Sequence, residues 1–132
     1  MKVTFMGTGT SVGVPSIGCR CEVCRSHDPL NRRTRTSALL SLDEQRVLID
    51  ASTDLRQQAL REDLDALHAV LLTHAHADHV FGLDDVRMFN FRQQRSMPIY
   101  GGAATLADIR RTFWYVFEQD LDEMPYLDRP VV

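Results

Sequence analysis

Strand-like and helix-like stretches alternate along this chain, and that alternation predicts an α/β domain. Two further observations support it. Residues 69–73 form a short, nearly continuous apolar run bounded by polar residues, the pattern of a strand covered on both faces. A length of 132 residues suits one domain, so residues 1–132 are taken as a single unit.

The elements follow in chain order. Residues 2–6 read as a short strand, and Gly7, Gly9, Gly13, Pro15 and Gly18 then mark a tight loop rather than regular structure. Residues 19–35 are polar, with Pro29 and Asn31, and predict one long loop that something must hold in place. Residues 37–42 and 46–50 predict two strands joined at Asp43 and Glu44, as in a hairpin. Residues 53–61 predict a helix with Leu55, Ala59 and Leu60 on one face, capped by Thr53 or Asp54. After the 69–73 strand, a helix is predicted from Asp78 through Leu83, Val86 and Phe89. Residues 98–100 predict a short strand. Residues 105–117 predict a helix with Thr105 and Asp108 as a capping box and Leu106, Ile109, Phe113 and Val116 on one side. Trp114, Tyr115 and Phe117 read as helix packing. Residues 119–132 carry Pro125 and Pro130 and no periodicity.

Composition narrows the function classes. Apolar residues make up 44% and charged residues 25%, which excludes a disordered tail and a fibrous repeat. The 15 basic and 18 acidic residues give a net charge of -3, without the basic excess of a dedicated nucleic-acid module. No apolar run reaches the roughly eighteen residues of a membrane span. The first residues lack the apolar core of a signal peptide, so a cytoplasmic location is expected. The 3 cysteines are odd in number and crowded as Cys19, Cys21 and Cys24, which favours a metal over disulfides.

The chemistry is concentrated in Thr73-His74-Ala75-His76-Ala77-Asp78-His79, directly after the apolar strand. Ionisable groups so crowded at a strand end are costly without a ligand. In extended backbone, residues two apart point the same way, so His74 and His76 can converge on one metal. If a helix starts at Asp78, then Asp78 and His79 project differently and can serve a second. Imidazole and carboxylate suit zinc, manganese or iron. Asp50 ends the strand Val47-Leu48-Ile49-Asp50; it reads equally as a carboxylate orienting a ligand histidine or as a helix cap or exposed loop acid. Cys19, Cys21 and Cys24 can hold a tetrahedral zinc and order the loop at about residues 15–36, with His27 as a local candidate for the fourth ligand. Arg32, Arg33 and Arg35 could grip a phosphate, although a solvated loop face is the preferred reading.

These residues resemble a known family. The string from Thr73 to His79 is similar to the signature of the metallo-β-lactamase superfamily. The glycine loop, the cysteine triplet, Arg32-Arg33-Thr34-Arg35-Thr36-Ser37, Val47-Leu48-Ile49-Asp50 and Gly82-Leu83-Asp84-Asp85-Val86-Arg87 resemble its PhnP-type phosphodiesterase branch. The resemblance implies an αββα sandwich, two packed sheets with helices outside. It implies that His74 and His76 bind a first metal, that Asp78 and His79 bind a second, and that Asp50 supports the site. It implies two divalent ions, zinc or manganese, and one structural zinc at Cys19, Cys21 and Cys24. Members of the family carry a second half with a further ligand histidine, a bridging aspartate and a final histidine, and their structural zinc takes its fourth ligand from there. No histidine follows His79 here, so about half of the full fold is expected, as part of a longer protein.

The implied activity is hydrolysis of a small, cyclic phosphodiester through a metal-activated hydroxide, with Asp78 essential. Transfer-RNA 3′-end nucleases and thioester- or lactam-cleaving enzymes share the histidine string. The cysteine triplet favours the PhnP-like branch, and the acidic composition disfavours a nucleic-acid partner. A reading of another class is a non-catalytic zinc-binding interaction domain. No membrane partner is expected, and a homodimer stays open.

Overall fold

The computed structural model describes residues 1–117; the 119–132 stretch lies outside the described residues. One five-stranded sheet forms the body, in the order β1 (Lys2–Gly7), β2 (Ser37–Leu42), β3 (Gln45–Ile49), β4 (Ala69–Leu72) and β5 (Ile99–Gly101). β1, β2 and β3 pair antiparallel, whereas β3, β4 and β5 run parallel. Parallel neighbours need crossovers, and helices supply them. A helix at Leu55–Arg61 links β3 to β4, and helices at Ala77–Val80 and Leu83–Gln93 link β4 to β5. In chain order the helices are α1 (Glu22–Arg25), α2 (Leu55–Arg61), α3 (Ala77–Val80), α4 (Leu83–Gln93), α5 (Ala103–Thr112) and α6 (Trp114–Phe117).

Period-two alternation sorts the sheet into two faces. The paired row Leu39, Leu48, Val70 and Ile99 is buried, and with Met6, Leu55, Leu67, Val86, Phe89 and Ile109 it builds the core beneath the helices. The opposite row runs Phe5, Ala38, Ile49, Leu71 and Tyr100 across all the strands. Phe5, Leu71 and Tyr100 are exposed there, so the described residues form one sheet with helices on one face and an open apolar face on the other. That half-sandwich matches the expected α/β architecture and leaves a surface apolar enough to receive a second layer.

Several local expectations are corrected. The 19–35 stretch is not one irregular loop: it contains α1 and a 3₁₀ turn at Pro29–Asn31, capped by Asp28 Oδ1, which accepts from Leu30 N at 2.9 Å. Backbone bridges Gly9–Arg35 and Val14–Arg33 tie it to the glycine loop. Neither Thr53 nor Asp54 caps α2 with its side chain. The Asp54 carboxylate is taken instead by Arg35, with Oδ2 accepting from its backbone N at 2.8 Å and Oδ1 from Nη1 at 3.0 Å. Arg35 also donates from Nε to Ser11 O at 2.8 Å, so it is a tether for the glycine loop, while Arg32 and Arg33 are exposed. The helix predicted from Asp78 is broken at Phe81–Gly82 into α3 and α4. The Thr105–Asp108 capping box does not form. α5 begins two residues earlier, at Ala103, with Gly102 at its cap. Ile109 and Phe113 are buried as expected, and Leu106 and Val116 are half-buried against them. Phe117 packs against the core; Trp114 and Tyr115 are exposed and contact each other at 6.2 Å between ring centroids, with Tyr115 also 6.3 Å from Phe113.

Candidate metal centre

The carboxyl ends of parallel strands leave a crevice where an open α/β sheet places its ligands. Asp50 follows β3, and Thr73 follows β4. The amide of Asp50 still donates to Leu71 O at 2.9 Å, which extends the β3–β4 pairing by one residue. There the backbone turns left-handed, with φ 60 at Asp50. Aspartate tolerates that conformation better than most residues, and such turns gather at functional sites. Ser37 Oγ donates to the Asp50 carbonyl at 2.8 Å and holds the turn.

Asp50 is only 3% exposed, and its carboxylate is fully engaged. Oδ1 accepts from Thr73 N at 2.8 Å; Oδ2 accepts from Thr73 Oγ1 at 2.8 Å and lies 2.7 Å from His79 Nδ1. This excludes the exposed-acid and helix-cap readings. With Nδ1 occupied, His79 presents Nε2 to the site, 3.3 Å from Asp78 Oδ2. The turn after the strand does not part the histidines: the ring centroid of His74 lies 4.6 Å from that of His76 and 4.0 Å from that of His79. His74, His76, Asp78 and His79 therefore share one mouth, half-buried except for the exposed His76. Imidazoles with a carboxylate, one ring pinned through its far nitrogen, form a donor set that fits a divalent ion.

The cysteines form a tighter group. The Sγ atoms of Cys19, Cys21 and Cys24 all lie within 4.8 Å of one another, the one group of three or more donors among the described residues that closes to that degree. The amide of Cys24 donates to Cys21 Sγ at 3.5 Å, and this contact lowers the Cys21 thiol from its usual range, helped by the Cys19 and Cys24 side chains. At Cys24 the Ser16 amide pulls downward, but the neighbouring Cys19 and Cys21 sulfurs, with desolvation, carry the thiol upward overall. Three cysteine sulfurs this close together are a donor set that fits zinc. His27 is exposed, and no contact joins it to the triplet.

Thr73, Ser37 and Gln58 are the participants that sequence reasoning missed. Gln58 is fully buried and donates from Nε2 to Arg35 O at 2.8 Å and to Thr34 Oγ1 at 3.1 Å, locking the segment that precedes β2. A polar residue on the apolar face of a predicted helix was the available signal.

Residues 45–128 match the family model of the beta-lactamase superfamily domain. The chain belongs to the metallo-β-lactamase superfamily. Within it, this is a PhnP-like member. A diphosphatase of the PhnP family is 45% identical, with a TM-score of 0.84 over 87% of this chain and 46% of that one. Zinc-bound PqqB from Methylobacterium extorquens is 30% identical, with a TM-score of 0.70 over 83% of this chain and 40% of the other. A Porphyromonas gingivalis protein named octanoyltransferase is 47% identical over 100% of this chain but only 26% of its own length. The chain thus spans less than half the length of each. Among the described residues, no helix is long and apolar enough to cross a membrane.

Proposed function

We propose that this chain supplies the first metal-binding half of a metal-dependent hydrolase that cleaves the P–O bond of a small, cyclic phosphodiester. The observation that supports this most directly is the pinning of His79 by Asp50, at 2.7 Å, beside His74, His76 and Asp78. Such a carboxylate–imidazole pair is how ligand histidines are held.

In this reading His74 and His76 hold one divalent ion, zinc or manganese, and Asp78 and His79 a second; Cys19, Cys21 and Cys24 hold a structural zinc. Divalent ions bound there would lower the pKa of a water and offset negative charge on the phosphoryl group. The chain's own side chains act by position. Asp50 fixes the His79 ring with Nε2 outward. Asp78 contributes a negative carboxylate to the mouth. Ser37 and Arg35 hold the strand ends and glycine loop that frame it.

One observation favours a second substrate class in the same chemistry. The PhnP-family neighbour is a diphosphatase, so a phosphoanhydride is the competing substrate. The test is a substrate panel on the zinc- or manganese-loaded full natural chain: bis(p-nitrophenyl) phosphate, a diphosphate ester, a thioester and a lactam. Hydrolysis of the diester, abolished by Asp78→Ala with the circular dichroism spectrum retained, supports the reading. Cleavage of the diphosphate alone moves it to the anhydride. Cleavage of the thioester or lactam alone, or a fully active Asp78→Ala protein, overturns it. Metal bound only at the cysteines, with no turnover, would favour an interaction domain.

A further inference from the structure

We propose that Thr73 is a positioning residue whose hydroxyl relays the Asp50 carboxylate to Nδ1 of His74. One carboxylate oxygen then orients two ligand histidines, His79 directly and His74 through Thr73. The relay rests on the metal-centre reading only for its effect on metal affinity.

The hydrogen-bond inventory decides the direction. Thr73 Oγ1 lies 2.8 Å from Asp50 Oδ2 and 2.9 Å from His74 Nδ1. A hydroxyl has one proton to give and two lone pairs. An ionised carboxylate only accepts, so the hydroxyl proton goes to Oδ2. What Oγ1 then offers His74 is a lone pair, and Nδ1 carries the proton that meets it. Nε2 is left bare, the nitrogen available to a metal. His79 reaches the same state without an intermediary, its Nδ1 lying 2.7 Å from the same Oδ2. The Thr73 amide, donating to Oδ1 at 2.8 Å, keeps the carboxylate in register with the strand end.

The relay is needed because of where His74 sits. Its bond to Thr73 is exposed to solvent, and no protein group other than Thr73 is bonded to Nδ1 among the described residues. A neutral imidazole without a fixed partner distributes its proton between both nitrogens. A fraction of molecules would then carry the proton on Nε2 and be unable to bind. Outer partners of ligand histidines typically change metal affinity by about 10–100-fold. Their loss at a threonine one bond removed is expected near the lower end.

The experiment uses the full natural chain, metal-free and ¹⁵N-labelled at histidine. Long-range ¹H–¹⁵N spectra report which ring nitrogen is protonated, with His74 assigned by its loss in His74→Gln. The relay predicts the Nδ1–H form for both His74 and His79 in the wild type. In Thr73→Val, which keeps the branched shape, His74 becomes a mixture while His79 stays as it was, and zinc affinity falls about tenfold. Thr73→Ser restores both. An Nε2-protonated His74 in the wild type overturns the proposal without any variant. So does a valine protein with an unchanged His74 spectrum, or an affinity loss that serine does not rescue. These metal-free spectra stand even if the protein proves to hydrolyse no phosphodiester, so the two ideas fail separately.

Discussion

Oδ2 of Asp50 lies 2.7 Å from Nδ1 of His79, joining the end of β3 to the helix that follows β4. The contact reaches across the single β3–β4 crossover and is made possible by the left-handed turn at Asp50. Asparagine tolerates that turn as well as aspartate does, so Asp50→Asn isolates the charge from the backbone. Its amide keeps one acceptor for Thr73 N–H but turns a donor toward His79. We expect zinc affinity to fall by about 10–100-fold, read by calorimetric titration. Asp50→Ala should also cost about 1–3 kcal/mol in urea unfolding, because it strips the acceptor from the Thr73 amide. An unchanged affinity in both variants would remove Asp50 from the site.

Gly82 packs where no side chain fits. Its amide donates to Ala51 O at 2.9 Å, and a Cβ there would stand 2.0 Å from Ser52 O and 2.9 Å from Leu55 Cβ. Both oxygens belong to the segment leaving Asp50, so the start of α4 is pressed against that backbone. Gly82→Ala is expected to destabilise by about 1–3 kcal/mol, since the obstacle is backbone that cannot rotate aside. Denaturant midpoints check this, and an alanine protein as stable as the wild type would mean that α4 stands further off.

These two relationships show what was legible beforehand and what was not. The string from His74 to His79 is contiguous, so its adjacency survives any fold, and strand alternation located its platform. Asp50 could be named but not assigned, because its partners lie far along the chain and pairing depends on β3 and β4 being neighbours. Local cap signals failed where a tertiary partner outbid them. Asp54 gives its carboxylate to Arg35 instead of α2. Thr105 is bypassed because Ala103 and Ala104, good helix formers, extend α5 back to Gly102. Gly82 inside a helical pattern was a visible sign of the break, but only the close approach of Ser52 explains why glycine is required.

The cysteine loop should depend on metal for its order. Its bridges to the glycine loop are few, and its sulfurs are exposed or half-buried. Cys19→Ser is expected to remove one zinc per chain and leave the histidine site filled, whereas His76→Ala should deplete only the latter. Metal analysis of the two purified proteins measures this directly. Chelation should lower the wild-type Tm more than that of Cys19→Ser, because metal binding stabilises only a folded site. Equal zinc content in wild type and Cys19→Ser would contradict the assignment.

His68 gives the fold a pH dependence of its own. Its Nδ1 accepts from Arg46 N at 3.1 Å, which requires that nitrogen to be unprotonated. Burial lowers its pKa from the ordinary value, and the nearby Arg95 and Arg46 cations add to the shift. The unfolded chain therefore takes up a proton here at a higher pH than the folded one does. That makes the contribution complete above the unfolded pKa of about 6.5 and progressively lost as pH falls below it. Once the pH is below the folded value as well, no further loss arises from this group. His68→Asn keeps an acceptor, Oδ1, for the Arg46 amide and removes the titration. Urea midpoints of the two proteins should stay closest at about pH 8 and diverge toward about pH 5, with the asparagine protein losing less. A wild-type protein whose stability falls no faster than that of the variant on acidification would show that His68 is protonated without cost.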